Sequence, residues 1–299
     1  MGLDDPVIWV LADEYSGNVS QCLGVAEALG LPYEVKRIAY NKWARLPNIV
    51  LGSSILHITR ESAETISSPW PNLVIASGRR TVAVARYIKK RSQASVFLAQ
   101  LMWPGRPVRD LDLVSAPLHD DMGSNEDIVR TLGAPHNVTV SRLATASDSW
   151  KEDLIGLSRP RIAVLIGGDT KRKSFSSAIA GDFGRRCSNM AKSLGGSLMV
   201  STSRRTNPIA MRRFVERLEG EVKLFNWHES RNPNPYLGYL ALSDAVIVTG
   251  DSMSMCTEAC TTGRPVFIYA PIGMTAACLL YTSDAADEGL GVDLGGRRI

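Results

Sequence analysis

The sequence predicts an α/β protein built of two doubly wound parallel sheets. Three observations predict it. Short, continuous apolar runs of the kind buried on both faces of a parallel sheet recur along the chain, as in Val7–Ala12, Asn72–Ala76, Arg161–Ile166 and Val246–Thr249. Each is followed by a turn rich in Gly, Ser, Asp or Arg and then by a helical stretch. A polar segment, Ala146–Arg161, holding Asp148, Lys151, Glu152, Asp153 and Pro160, separates two such series. It reads as a linker (146–160) between a first domain (1–145) and a second (161–277), with no sequence repeat relating the halves.

Composition agrees. A chain of 299 residues suits two domains, each able to bury a core, and 44% hydrophobic with 21% charged residues are globular values. The net charge of +4 is too small to argue for a nucleic-acid partner. The five cysteines show no C-x-x-C spacing, which points to a reducing compartment and no structural zinc. Cys256 and Cys260, four apart on one helix, read as buried thiols. The N-terminus carries Asp4 and Asp5 in place of a basic region, so no signal peptide is expected. No run approaches the ~20 apolar residues of a membrane span. A cytoplasmic location follows, at most peripheral at a membrane surface.

In the first half, Val7–Ala12 is a central strand and Asp13–Asn18 a turn. Val19–Leu29 is a helix with Leu23 and Ala26 inward, closed by Gly30. This β-turn-α unit lacks the G-x-G-x-x-G dinucleotide fingerprint, which disfavours a nicotinamide-dependent epimerase or dehydrogenase. Gly17, Asn18 and Gln21 remain candidates for contact with an acceptor substrate; a simple tight turn is the alternative. Tyr33–Ile38 is a second strand, and residues 41–71 are irregular. Asn72–Ala76 ends in Ser77-Gly78-Arg79-Arg80, before the helix Thr81–Arg91. Two arginines at a strand-to-helix junction make a candidate anion site, because positive charge there opposes the helix dipole and a bound anion would relieve it. Ser95–Leu101, Asp112–Ala116 and Asn137–Val140 complete the first sheet. His119, followed by Asp120 and Asp121 at a strand end, is the candidate acid/base group.

In the second half, Arg161–Ile166 is a strand ending in Gly167-Gly168, where a ligand or another domain could approach the backbone. The G-x-x-x-x-G-K-[ST] phosphate loop is absent. Phe175–Leu194 is a helix and Ser197–Thr202 a strand. A second Ser/Arg/Arg/Thr cluster follows, Ser203-Arg204-Arg205-Thr206, and Pro208 opens the next helix. Glu221–Phe225 is a strand, Tyr236–Leu242 a short helix and Val246–Thr249 a strand. Asp251 or Ser252 would cap the helix Ser252–Thr262, Gly263 would end it in the left-handed conformation, and Pro265–Tyr269 is the last strand. A strand order of 3-2-1-4-5 puts Gly167-Gly168, Ser201–Thr206 and Gly250–Glu258 on one rim at the topological switch point. Ser254 and Glu258 share a helix face there. Backbone N–H groups, small hydroxyls, an arginine pair and one carboxylate suit a nucleoside diphosphate. The candidate donor-binding set is Gly167, Gly168, Ser201, Ser203, Arg204, Arg205, Thr206, Asp251, Ser252, Ser254, Met255 and Glu258. The acceptor-side set is Gly17, Asn18, Gln21, Ser77, Gly78, Arg79 and Arg80.

The segments GNVSQCLGVAEALG, NLVIASGRRT, HDDMGSNEDIVRTLGAPH, RIAVLIGGD, GGSLMVSTSRRT and NPYLGYLALSDAVIVTGDSMSMCTEACTTGRPV resemble the mitochondrial fission ELM-type family. That resemblance implies a glycosyltransferase of GT-B architecture with two facing Rossmann-like domains. It implies a nucleoside-diphosphate sugar as donor in the C-terminal domain, an unidentified acceptor near the N-terminal one, and ribose contact by Glu258. A lipid-linked molecule is one candidate acceptor, and a peripheral membrane contact goes with it. No bound metal or cofactor is expected, and no D-x-D pair occurs; Asp120-Asp121 is adjacent. A sugar-epimerase label on some relatives conflicts with the missing dinucleotide fingerprint. The competing reading is a non-catalytic GT-B-like adaptor linked to membrane or organelle division. The chain departs from the family in having Gly17-Asn18 where many relatives have Gly-His, and in its tail. Cys278–Ile299 has no helical or strand period and is expected to lack a place in the core.

Overall fold

The apolar runs become strands. The computed structural model describes residues 6–93, 95–105, 108–118, 128–170 and 174–270. They fall into two units, Met1–Asn137 and Val138–Ile299. The first contains β1 (Ile8–Ala12), α1 (Ser16–Ala28), β2 (Tyr33–Arg37), α2 (Asn48–Leu51), α3 (Arg60–Glu64), β3 (Leu73–Ser77), α4 (Val82–Arg91), β4 (Phe97–Leu101), β5 (Leu113–Pro117) and β6 (Ile128–Thr131). Its strands are all parallel, in the order β2-β1-β3-β4-β5-β6. β1 is buried along its whole length, as an interior parallel strand must be, whereas the edge strand β2 carries Glu34, Lys36 and Arg37.

The second unit contains α5 (Val140–Leu154), β7 (Arg161–Ile166), α6 (Ser177–Leu194), β8 (Ser197–Thr202), α7 (Pro208–Val215), β9 (Val222–Phe225), α8 (Tyr236–Leu242), β10 (Ala245–Thr249), α9 (Met253–Cys260) and β11 (Val266–Tyr269). Its parallel sheet runs β11-β10-β7-β8-β9, the expected 3-2-1-4-5 order read from the other edge. β7 and β8 are buried throughout. On one face Phe183 lies among Phe175, Phe214 and Tyr269, the last stacked at 4.2 Å. On the other, α5, α8 and α9 cover the sheet with Leu143, Leu154, Tyr239, Leu240 and Ala259.

Three expectations differ from the structure. Asn137–Val140 is not a strand: the Thr139 hydroxyl accepts the Arg142 N–H at 3.2 Å and turns the chain into α5. The sixth strand is β6, four residues paired with β5 through Val114↔Ile128 and Ser115↔Val129. Most of the segment read as a linker, 146–160, is α5, and the polar residues are its outer face. Leu143, Ala146 and Leu154 are buried on the inner face, and Trp150 is packed there with them. Two smaller differences concern single residues. Gly17 and Asn18 lie inside α1, not in a turn before it. Cys260 is exposed, while Cys22, Cys187 and Cys256 are buried. The tail Cys278–Ile299 lies outside the described residues.

The join of α5 to α8 is tight. A β-carbon on Gly238 would fall 2.4 Å from Cγ of Trp150. Gly238→Ala must therefore push the indole out of its slot, and overpacking of this kind costs about 1–3 kcal/mol. Urea denaturation followed by tryptophan fluorescence should show that loss. Unchanged stability would mean that α5 is not clamped on the second unit.

Candidate functional site

The order of the second sheet makes β7 and β10 neighbours, with the chain leaving β7 toward β8 on one side and reaching β10 on the other. Their C-terminal ends form the switch point at which open α/β sheets bind ligands. Three loops meet there. Gly167 N–H donates to Oγ1 of Thr249 at 2.8 Å, and Gly168 N–H donates to Oδ2 of Asp251 at 2.9 Å. Arg205 reaches the same carboxylate oxygen with Nη2 at 2.9 Å and the Asp169 carbonyl with Nη1 at 3.1 Å. The backbone closes the joint, Asp169 N–H donating to the Arg205 carbonyl at 3.0 Å. Thr206 Oγ1 donates to the Gly167 carbonyl at 2.9 Å and accepts the Ser203 N–H at 3.0 Å, and the Ser203 hydroxyl also donates to Gly167.

The donor-set residues Gly167, Gly168, Ser203, Arg205, Thr206 and Asp251 are thus brought together, but in roles the sequence did not indicate. The room left by the two glycines is filled from within the unit. A β-carbon on Gly167 would lie 2.2 Å from the Asp251 carboxylate, and one on Gly168, whose φ is +129°, would lie 2.3 Å from the Arg205 carbonyl. Ser203 and Thr206 tie the β8–α7 loop to the end of β7. Asp251 does not cap α9; its carboxylate is turned to Gly168 and Arg205. Ser252 stands at the N-cap position without a side-chain cap bond. Ser252 therefore gives the first N–H groups of α9 no side-chain acceptor, and a helix N-terminus favours an anion. Burial raises the Asp251 carboxyl above its ordinary value, with Arg205 opposing the shift.

The remaining members surround this knot. Arg204 is exposed beside it, and Ser201 is buried on β8. Ser254 and Met255 lie in the first turn of α9, Met255 against the apolar cluster under the helix. Glu258 is buried, and Tyr236 donates its hydroxyl to Oε2 at 2.5 Å. Burial, reinforced by Glu258, pushes the Tyr236 hydroxyl well above its ordinary pKa, so it remains a donor. Tyr236 was missed in the sequence because it lies 22 residues upstream, on another helix.

The first unit has a corresponding rim at the ends of β1 and β3. Asp13 accepts the Tyr15 N–H at 2.8 Å and Nδ2 of Asn18 at 2.9 Å, and burial raises its pKa. Asn18 fills the space that Gly78, at φ +80°, leaves open. The two arginines read as an acceptor-side anion site are already engaged. Arg80 pairs with Glu14 at 2.6 Å and lies between the rings of Tyr15 and Tyr40. Arg79 donates to the carbonyls of Leu46 and Ala44 at 2.9 and 3.3 Å. Behind them, Gln21 Oε1, Ser77 Oγ, Gln100 Oε1, Tyr40 Oη and His57 Nδ1 are buried without a hydrogen-bond partner. His57 is fully buried and stacked on Tyr40, and desolvation lowers its pKa below the ordinary histidine value. Tyr40, His57 and Gln100 were missed because Tyr40 follows the end of the second strand, His57 falls in the irregular segment 41–71 and Gln100 in the interior of β4, none of them in a motif. His119, the candidate acid/base group, lies outside the described residues, as do Asp120 and Asp121.

Comparison with known proteins follows the same lines. A profile of the family described as "Mitochondrial fission ELM1" matches residues 16–278. The mitochondrial fission protein ELM1 of Arabidopsis thaliana is 27% identical over 87% of this chain and 77% of its own length. Among solved structures, a glycosyltransferase from Rickettsia africae superposes with a TM-score of 0.54 at 14% identity, covering 91% of this chain and 81% of that one. A UDP-GlcNAc 2-epimerase from Neisseria meningitidis superposes with a TM-score of 0.53 at 13% identity, covering 92% and 85%. The fold is that of the GT-B class, two parallel-sheet α/β domains. Because an epimerase shares it, the fold does not separate a sugar transferase from a sugar epimerase.

The Asp251 carboxyl carries a pH dependence of known sign. Its folded pKa lies above the ordinary 3.8, so between the two values the native state binds more protons than the unfolded chain. The stability it contributes is complete below the ordinary value and is lost as the pH rises through the folded one. Asp251→Asn does not titrate and lacks that loss. In paired urea denaturations at about pH 4 and about pH 7, the stability of the variant relative to the parent should rise toward neutral pH. A relative fall would show that Arg205 outweighs burial.

Proposed function

The chain belongs to the mitochondrial fission ELM1 family, and on that premise we propose that it is a glycosyltransferase drawing its sugar from a nucleoside-diphosphate donor held on the rim of the second unit. The observation that carries this reading is the convergence of Arg205, the Gly167-Gly168 turn and the N-terminus of α9, which has no side-chain cap, at the β7/β10 switch point. A departing diphosphate develops negative charge, and helix N–H groups with a guanidinium fork stabilise it without a metal. Arg205 reaches the phosphates by exchanging Asp251 for them, with Arg204 beside it, and Ser254 and Glu258 face the ribose. A solved structure of this fold carries UDP-GlcNAc, which supports a nucleotide-sugar as ligand. The acceptor belongs to the rim of the first unit, where Asn18, Gln21, Ser77, Gly78, Arg79 and Arg80 lie. His119 is the proposed base.

A second reading, a non-catalytic adaptor linked to membrane or organelle division, draws on one observation. Arg205, Ser203, Thr206 and Glu258 each already have an intramolecular partner.

Calorimetric titration with UDP tests the shared premise. Binding is expected in the parent chain and should be lost in Arg204→Ala/Arg205→Ala. It should not be fully restored by Arg205→Lys, because an ammonium lacks the fork. Glu258→Gln should weaken it by about 1–3 kcal/mol, the range for a hydrogen bond to a charged group. Equal affinity in the double-alanine variant removes the donor site from this rim. Release of UDP from UDP-GlcNAc that requires an added acceptor marks the transferase; binding without turnover marks the adaptor.

A further inference from the structure

The loop between β2 and α3 turns Tyr40 and His57 inward to the first unit's rim and presents an unusual surface on its outer side. Four of its apolar side chains point to solvent: Ile49 is 77% exposed, Leu56 74%, Val50 64% and Trp43 52%. Other exposed apolar residues of the described chain are spread along it, whereas these fall within one short loop. Isolated exposed apolar residues are ordinary, but a group of them marks an interaction site.

The display is built, not frayed. Asn41 closes the neck of the loop by donating Nδ2 to the carbonyls of Leu56 and Ile58, both at 2.8 Å. Trp43 N–H returns to Asn41 Oδ1 at 2.9 Å, so Trp43 and Leu56 flank the same neck. Arg79 pins the loop from outside through the carbonyls of Ala44 and Leu46, and Asn48 donates to the Pro104 carbonyl at 3.3 Å. Ala44, Asn48, Leu51 and Ile58 are the buried side of the loop. On α2, turning Asn48 and Leu51 inward leaves Ile49 and Val50 outward. The loop backbone is already held, so docking has mainly the exposed side chains to order.

Charge identifies the partner. From Val35 to Arg60 the sequence contains no Asp or Glu. Lys42 and Arg45 stand exposed on either side of Trp43, and Lys42 lies over its ring at 5.4 Å. We propose that the loop 41–57 docks the first unit on an anionic lipid bilayer, Trp43, Ile49, Val50 and Leu56 entering the headgroup region while Lys42 and Arg45 meet lipid phosphates. Aliphatic side chains three-quarters exposed project from a surface rather than line a groove, and a tryptophan flanked by cations suits the membrane–water boundary. Among the described residues no helix is long and apolar enough to cross a membrane, so this is attachment to the surface. The proposal does not rest on the nucleotide-sugar reading.

Flotation of the full chain with vesicles tests it. Vesicles of phosphatidylcholine containing about a quarter phosphatidylglycerol should carry the protein, and vesicles of phosphatidylcholine alone should carry much less. Ile49→Ser/Val50→Ser should lower the partition roughly tenfold, from the aliphatic area withdrawn. Lys42→Ala and Arg45→Ala should each lower it about fivefold on anionic vesicles, with little change on neutral ones. Quenching of tryptophan fluorescence by brominated lipid should fall in Trp43→Phe. These positions are exposed, and thermal melting should match the parent chain; if the serine variant melts early, the lysine and arginine variants decide. The proposal is overturned if the parent chain floats with neither vesicle, or if the variants float as it does. It is equally overturned if sedimentation shows a dimer that Ile49→Ser/Val50→Ser dissolves, since the patch would then join two copies.

Discussion

The rim of the second unit depends on one buried anion. The Asp251 side chain is 3% exposed, yet it is ionisable, and a charge so placed requires donors. The Gly168 N–H and Arg205 supply them to the same oxygen. The three loops after β7, β8 and β10 are shaped by that requirement. Gly167 must lack a side chain because the carboxylate occupies its place, and Gly168, at positive φ, must lack one because the Arg205 carbonyl lies where its β-carbon would be. Arg205 must bring its loop close enough for its own carbonyl to accept from Asp169. What looks in the sequence like three separate anion-binding signals is a single knot with Asp251 at its centre.

The same short sequence, Arg-Arg-Thr, is used at both rims in different ways. At the first, the Thr81 hydroxyl donates to the carbonyls of Ser77 and Gly78, closing the turn on its own strand, and Arg80 crosses to Glu14 on the neighbouring loop. At the second, Thr206 crosses to the neighbouring strand, at Ile166 and Gly167, and Arg205 crosses to Asp251. Both rims thus hold a guanidinium paired with a carboxylate from an adjoining loop. Such a pair holds the guanidinium in one place and partly out of water.

Much of the fold was legible because its signals are local. Ser197–Thr202 and Tyr236–Leu242 have the same bounds in sequence and structure, and the order of the second sheet is the one expected of a doubly wound α/β unit. What was missed fell into two kinds. α5 had its inward stripe at Leu143, Ala146, Trp150 and Leu154, but the charges between them dominated the reading. β6 is four residues long and carries no alternation that exceeds its surroundings. Which residues meet at the second rim was easier to read than what each of them touches. That Arg205 and Asp251 belong together could not be read, since they meet across a separation of many residues. The nearer rule, that an Asp before a helix caps it, gave the wrong partner. Glu258 was singled out by its position on α9, but its hydrogen-bond partner Tyr236 was not.

The placement of α5 also determines how the chain divides. A fragment begun at the polar stretch would start inside this helix and discard Thr139 and Leu143. It would leave Phe225 and Tyr239 with part of their cover gone and the helix that carries Trp150 without its cap. A fragment begun at Val138 keeps the Thr139 cap, the whole inner stripe and the Trp150 clamp. The seam between the two halves lies before the charged residues, and dissection, circular permutation or domain exchange in this chain should be cut there.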